Sequence, residues 1–321
     1  MVCSPNGLCY YDRNGVKHMI KEHNIGLLST LACYILWGLL PLYWHLLSGV
    51  NAVFILANRI LWSLVFTAAL LLVKKQLPEV KAVLRDKQKM RYMIPAAIMI
   101  TINWGVYIWA VNAGHLLDSS LGYYLNPLMV FAIGIVLFRE SCGVIEWVAL
   151  GLATVGVLIA TIAYGAFPWI AIVLALSFGF YGTLKKLAGV GGLTSIAVET
   201  LLIGPFALAF ILFAPVSHAA VASLDSLSAI LLVLSGAITA SPLTLFTFGV
   251  NRLPFTTVGF LQYVSPTLQM LIGVLVFKEV LTSDRIVSFA FFGAALILYS
   301  IGMVRRARQA RIAVEPVKAD A

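Results

Sequence analysis

Charge is scarce in this chain: Asp, Glu, Lys and Arg make up 11% of its 321 residues, against 61% hydrophobic. So little polar side chain cannot cover a water-soluble globule of this length, and a mean hydropathy of +0.97 makes lipid the main solvent. Cysteine is scarce as well. Cys3, Cys9, Cys33 and Cys142 show no C-x-x-C spacing and no grouping with histidine, so neither a disulfide framework nor a metal site is indicated. H-E-x-x-H, G-x-S-x-G and Walker-type glycine loops are missing, as is any nucleophile and base at recognisable spacing. The chain is not read as an enzyme, no cofactor is expected, and bound ATP is not the expected energy source. No small-residue cleavage signal follows the first apolar run, which is long enough to be a span.

What is there is a series of ten apolar stretches near the length that crosses a bilayer: 26–46, 53–73, 93–112, 119–138, 144–163, 167–184, 193–213, 229–249, 256–277 and 285–304. Residues 111–140 align without a gap on 250–279, an offset of 139, with eight of thirty positions identical. The matches include residues uncommon in apolar helices: Asn112 with Asn251, Tyr124 with Tyr263, Pro127 with Pro266, Gly134 with Gly273 and Glu140 with Glu279. Five spans is an odd number, so the second half enters the membrane in the opposite sense and the repeats are inverted, as in secondary transporters. The expected architecture is an all-α integral membrane protein of ten transmembrane helices in two inverted five-helix repeats. Its parts are a polar extension over 1–24, with Met19 as an alternative start, a first repeat over 25–164, a second over 165–304 and a basic tail over 305–321.

The net charge of +9 comes from 22 Lys and Arg against 13 Asp and Glu, and all but three of the cations fall on one side of this topology. The exceptions are Lys278 and Arg285 in an outer loop and Arg59 inside a helix; Lys185 and Lys186 are placed in an inner loop. This asymmetry puts both termini in the cytoplasm and makes the basic balance a topology signal rather than a nucleic-acid signal. Between Lys74 and Arg91, Leu77, Val80 and Leu84 recur at helical spacing among charges, which fits a short interfacial helix or a solvated loop.

Arg59 and Glu199 each lie about a third of the way into a span. A charge there costs roughly 2.5–3.5 kcal/mol on insertion scales and faces the bundle interior or a water-filled cavity. Arg59, toward the outside, suits an anionic group. Glu199, toward the inside, is a candidate for carrying a coupling proton. A direct ion pair between them does not follow from their depths. Pro127 and Pro266 each lack the N–H that would bond the carbonyl four residues back, at Tyr123 and Gln262, and such backbone is tolerated at midplane depth only inside protein or along a cavity. Tyr123 with Asn126, and Gln262 with Gln269, share a face on these two helices; Tyr263 stands beside Gln262. In the third span Asn103 and Tyr107 share a face, with Trp104 and Trp109 turned elsewhere. Trp37 and Pro41, and Phe178 and Tyr181, add aromatic surface at equivalent places of the two halves. Trp44, His45, Trp62, Trp147 and Trp169 lie nearer span ends and read mostly as interfacial anchors. Core packing, interhelical hydrogen bonding and simple kinks account for the same residues without a ligand.

These stretches together resemble the RarD family of EamA-type permeases in the drug/metabolite transporter superfamily. The resemblance runs from about Ile25 to Met303 and is carried by Tyr-Ile-Leu-Trp-Gly-Leu-Leu-Pro at 34–41, Asn-Arg-Ile-Leu-Trp-Ser at 58–63 and Asn-Trp-Gly-Val-Tyr-Ile-Trp-Ala-Val-Asn at 103–112. Ser-Leu-Gly-Tyr-Tyr-Leu-Asn-Pro at 120–127, Ser-Phe-Gly-Phe-Tyr-Gly at 177–182 and Gly-Phe-Leu-Gln-Tyr-Val-Ser-Pro at 259–266 complete it. It implies ten helices, two EamA units, the inner membrane of a bacterium, and export of small metabolites or drugs. Relatives commonly carry Glu where this chain has Phe54 and His where it has Asn58, which leaves Glu199 as the buried proton candidate here. The partners implied are a small-molecule substrate and membrane lipids, no nucleic acid, with a homodimer left open. An uncoupled uniporter or channel-like pathway is the alternative, and a non-transporting membrane sensor is the remoter one.

Overall fold

A computed structural model describes residues 2–3, 9–10, 13–112, 116–165, 167–278 and 283–314. Apart from a two-residue antiparallel ladder, β1 (Val2–Cys3) with β2 (Cys9–Tyr10), every described element is helical. The helices are α1 (Arg13–His45), α2 (Ala52–Val73), α3 (Leu77–Arg85), α4 (Lys87–Asn112), α5 (Leu116–Val136), α6 (Val144–Tyr164), α7 (Trp169–Ala188), α8 (Gly192–Phe213), α9 (Pro215–Ala222), α10 (Ser226–Val250), α11 (Phe255–Leu261), α12 (Val264–Leu275) and α13 (Ser283–Val314). Among the described residues, eight stretches of helix are long and apolar enough to cross a membrane. The other two expected spans fall in α4, which starts among basic residues, and in α5, whose described apolar part is Gly122–Val136.

Local chemistry sets the ends. Asn51 accepts the N–H groups of Val53 and Phe54 at 3.0 and 3.2 Å and so caps α2. Asp86 does the same for α4 through Gln88 and Lys89. Glu146 reaches back to the N–H of Gly143 at 2.9 Å to start α6, which ends at Gly165 with φ of 76°. The charged segment after α2 is helical, as its spacing suggests: α3 turns Val80 and Val83 inward against Met93, Val190 and Val198.

The sequence reading needs two corrections here. The expected span over 256–277 is present as Phe255–Leu275, long and apolar enough to cross, but it consists of two helices, α11 and α12, separated at Gln262 and Tyr263. Pro266 cannot donate to the carbonyl of Gln262, which instead takes the N–H of Ser265 at 3.1 Å in a tight turn. Pro127, its counterpart, sits inside an unbroken α5. In addition, α7 runs to Ala188, so Lys185 is no inner-loop charge; it is a helical residue only 1% exposed.

By packing, the chain falls into two units, one of Met1–Ile108 with Phe180–Pro254 and one of Trp109–Gly179 with Phe255–Ala321. Each draws on both halves of the sequence. In the first, α2 packs on α8 and α10, and α1 on α10. The crossing of α2 and α10 is close: a Cβ on Gly236 would stand 2.2 Å from the backbone carbon of Trp62, so only glycine fits. In the second unit α6 packs on α13 and α5 on α11. A Cβ on Gly259 would meet the Pro127 carbonyl oxygen at 2.9 Å, which fixes where α11 crosses α5. The core there holds Phe131, Phe260, Tyr263, Phe292 and Tyr299 over the small residues Ala149, Ala153 and Ala295.

Two stretches that align in the sequence share local backbone features. Arg139 and Lys278, 139 residues apart, both take left-handed conformations with φ of 51° and 57°. The turns before them match, with the Phe138 N–H on the Ile133 carbonyl and the Phe277 N–H on that of Ile272.

Candidate functional site

In the first unit, two polar centres lie among apolar helices. One is built on Arg59 of α2, whose guanidinium carbon lies 4.7 Å from the Trp44 ring centroid and 5.1 Å from that of Trp104. Its Nε donates to the Thr239 hydroxyl of α10 at 3.0 Å. Indole faces stabilise a guanidinium by cation–π attraction, worth about 2 kcal/mol each when desolvated. Arg59 is therefore half-buried with its charge held in place rather than extended into lipid. Trp44 is not the interfacial anchor its position near a span end suggests, and Trp104 is not turned away from the polar face. Asn103 and Tyr107 are half-buried on the same helix, α4. Nearby on α2, Asn58 donates to the Phe54 carbonyl at 2.9 Å, and Phe54 is core.

The second centre joins α7 and α8. Lys185 Nζ stands 2.5 Å from Glu199 Oε1, with the two side chains 0% and 4% exposed. Tyr181 donates to Glu199 Oε2 at 3.0 Å. The Ser195 hydroxyl lies 2.7 Å from Lys185 Nζ and 3.1 Å from Glu199 Oε1. The carboxylate thus accepts from three side chains, and its charge is matched inside the protein. The Tyr181 ring stacks on Phe246 of α10 at 6.0 Å, and Trp37 of α1 lies 5.8 Å from the same ring. Tyr181 is fully buried, its hydroxyl taken by Glu199.

In the second unit the two proline-bearing segments meet at the α5/α11 crossing. Asn126, Gln262 and Tyr263 are 5%, 6% and 1% exposed. Among the described residues, Asn126 Oδ1, Gln262 Oε1 and the Tyr263 hydroxyl have no hydrogen-bond partner. Buried oxygens left unpaired are costly and uncommon. Tyr123 is half-buried on α5. Gln269 donates to Ser265 at 3.2 Å on α12. Glu140 holds the start of α11, accepting the N–H groups of Phe255 and Thr256 at 2.6 and 2.8 Å and the Thr256 hydroxyl at 2.8 Å. Its repeat counterpart Glu279 lies outside the described residues.

Sequence reasoning missed Lys185, Ser195, Trp44, Trp104 and Thr239. A signal for the first two existed: Tyr181 and Lys185 are four apart on α7, and Ser195 and Glu199 four apart on α8, so each pair shares one face. An open cavity of about 450 Å³ between the α1–α2 turn and α9, lined by Asn51, Ser223, Asp225 and Ser228 among others, includes none of the residues singled out from the sequence. Asp225, at the start of α10, has its carboxyl held below the usual range by a hydrogen bond from the Ser228 side chain.

Comparison with known proteins gives the context for this arrangement. Residues 24–162 match the EamA-like transporter family. The chain is 39% identical over 296 residues to Protein RarD of Streptomyces exfoliatus, covering 92% of this chain and 94% of the relative. It is 41% identical over 294 residues to the uncharacterized transporter YojE of Bacillus subtilis, covering 90% and 98%. Similarity to the chloramphenicol-sensitive protein RarD of Pseudomonas aeruginosa is 30% over 277 residues, covering 85% and 92%. A solved crystal structure, 17% identical, superposes with a TM-score of 0.67 over 86% of this chain and 97% of its own, a likeness of fold.

Proposed function

The chain belongs to the EamA-like transporter family, aligned nearly end to end with RarD proteins, and from that premise we propose an exporter that carries a small organic solute out of a bacterial cell by alternating access. It is a secondary transporter of the cytoplasmic membrane and not an enzyme. Ten spans in two inverted repeats, with both termini inside, are the arrangement we infer. In support, counterparts at the repeat offset pack on each other: α2 on α8, α5 on α11 and α6 on α13. Such contacts fit a two-fold relation between repeats.

The observation that carries the solute site is the Arg59 guanidinium set between two indole rings. Arginine presents a planar fork suited to carboxylate or phosphate groups, and the indoles give flat apolar surface beside it. Arg59 would hold an anionic or strongly polar group, with Asn103 and Tyr107 of α4 and Trp37 of α1 bounding the solute. In the second unit, Tyr123, Asn126, Gln262 and Tyr263, with the backbone at Pro127 and Pro266, are proposed as polar solute contacts of their own. Glu199 remains the candidate for the coupling proton.

The test compares small molecules in medium and cytoplasm, by untargeted mass spectrometry, for host cells carrying the protein, its Arg59→Ala variant or an empty vector. A compound exported with the intact protein and retained with Arg59→Ala at equal membrane abundance supports the reading. Full export by the variant removes Arg59 from the site.

A further inference from the structure

Every other intramembrane charge considered above can be read as an anchor or a solute contact, but the pair on α7 and α8 is enclosed on all sides. Lys185 and Glu199 are buried together, and the Ser195 hydroxyl bridges them, lying within hydrogen-bond distance of both. Burying two charges costs several kcal/mol each before their attraction is counted, and apolar residues of like size stabilise a fold at least as well. Stability alone therefore gives no reason for this pair. We propose that Lys185 is the exchangeable counter-ion of Glu199 and that the two form the proton-coupling element of the transporter. The proposal rests on the transporter reading and adds Lys185, with Ser195 and Tyr181 as positioning residues.

The step is a proton binding and release with no other chemistry. A proton arriving from one side of the membrane adds to the Glu199 carboxylate. The neutral acid no longer attracts the Lys185 ammonium, which keeps its own proton, and the hold between α7 and α8 relaxes. Loss of the proton to the other side restores the carboxylate and the pair. One proton crosses per cycle. Glu199 Oε1 takes Lys185 and Ser195 and Oε2 takes Tyr181, so three side chains position the carboxylate.

A run of contacts ties this pair to the solute end of the same unit. Arg59 bonds Thr239 on α10; seven residues further along that helix, on the same face, Phe246 stacks on Tyr181, which bonds Glu199. The ionisable surroundings of Glu199 are few. Lys185 and Tyr181 come from α7, and Cys33 of α1 lies close enough to influence Tyr181. Glu79 of α3, a helix that also carries Lys81 and Arg85, bonds Thr194 on α8. Of the other helices packed on α8, α2 brings Arg59, α9 brings His218 and α10 brings none. Met93 of α4 touches Ser195 through its sulfur.

The test needs no solute. The full chain in lipid nanodiscs is titrated by pH-difference infrared spectroscopy over a range of about 4 to 10, following the protonated-carboxyl band. The expected result is a band absent from Glu199→Gln. Its midpoint rises by at least about one pH unit, tenfold in proton affinity, in Lys185→Met and returns in Lys185→Arg. A Lys185→Met, Glu199→Gln double variant, which removes both charges together, serves as the folded control. No Glu199-dependent band in folded protein, or a midpoint indifferent to Lys185→Met, overturns the proposal. Because the readout is the proton itself, such a failure leaves export untouched, whereas failure of export leaves the titration standing.

Discussion

Tyr124 and Tyr263 stand 139 residues apart in the chain and both stack on the ring of Phe292, at 5.1 and 5.2 Å between centroids. The repeat counterpart of Phe292 is Ala153, fully buried in the same core. One large ring therefore serves two equivalent tyrosines, with the space provided by a small residue at the matching place. Duplication has kept the tyrosines and differentiated their shared partner.

Phe292→Ala is expected to remove about 3 kcal/mol of stability, the low end for a buried phenylalanine. The low end applies because lipid is as apolar as the core, so the loss is packing rather than transfer from water. Reversible unfolding in lipid or mild detergent measures it, and a change under about 1 kcal/mol would show that the core closes around the gap.

Glu140→Ala strips the start of α11 of the carboxylate that accepts two backbone N–H groups and a hydroxyl. Hydrogen bonds to a charged acceptor are worth roughly 1.5–3 kcal/mol. Amide exchange at Phe255 and Thr256 should quicken by at least about tenfold, with α6 and α13 unaffected. Unchanged exchange would mean that water replaces the carboxylate without loss.

Arg59→Lys keeps the charge and loses the planar group between the indoles and the Nε bond to Thr239. Export of the compound identified in cells should fall by about tenfold, equivalent to about 1.4 kcal/mol, and not recover at equal membrane abundance. Wild-type export by Arg59→Lys would reduce the site to a point charge.

Asp225 accepts the Leu227 N–H and caps α10, with its carboxyl held below the ordinary value of 3.8, first by the Ser228 side chain. A depressed acid stabilises the folded state above its unfolded pKa and loses that contribution as pH falls through the folded one. Thermal unfolding of Asp225→Asn against wild type should show a deficit at neutral pH that shrinks as pH falls below 3.8. A deficit constant with pH would mean the cap acts without its charge.

The helices and their duplication were readable because each apolar run is long and because Pro127 and Pro266 repeat at a fixed offset. The different fates of those prolines were not readable. Both remove a hydrogen bond, and whether a helix bends through the defect or breaks depends on what neighbours supply, here the Ser265 N–H beside Gln262. Lys185 was misplaced because it follows an apolar run directly, where a loop lysine and a buried helical lysine look alike. Only the partner on α8 decides between them. Trp44 and Trp104 illustrate the same point: spacing puts an indole on a helix face, and the facing helix determines whether it meets lipid or Arg59.

At Gly236 the backbone of α10 lies against that of α2 with no side chain between them. Two helices in such contact cannot slide past one another without a clash, so they travel as one strut. Arg59 on the first and Thr239 on the second are then expected to keep their bond through the transport cycle. A covalent cross-link placed between α2 and α10 at this crossing should leave export intact, whereas the same link between α7 and α8 beside Lys185 should arrest it.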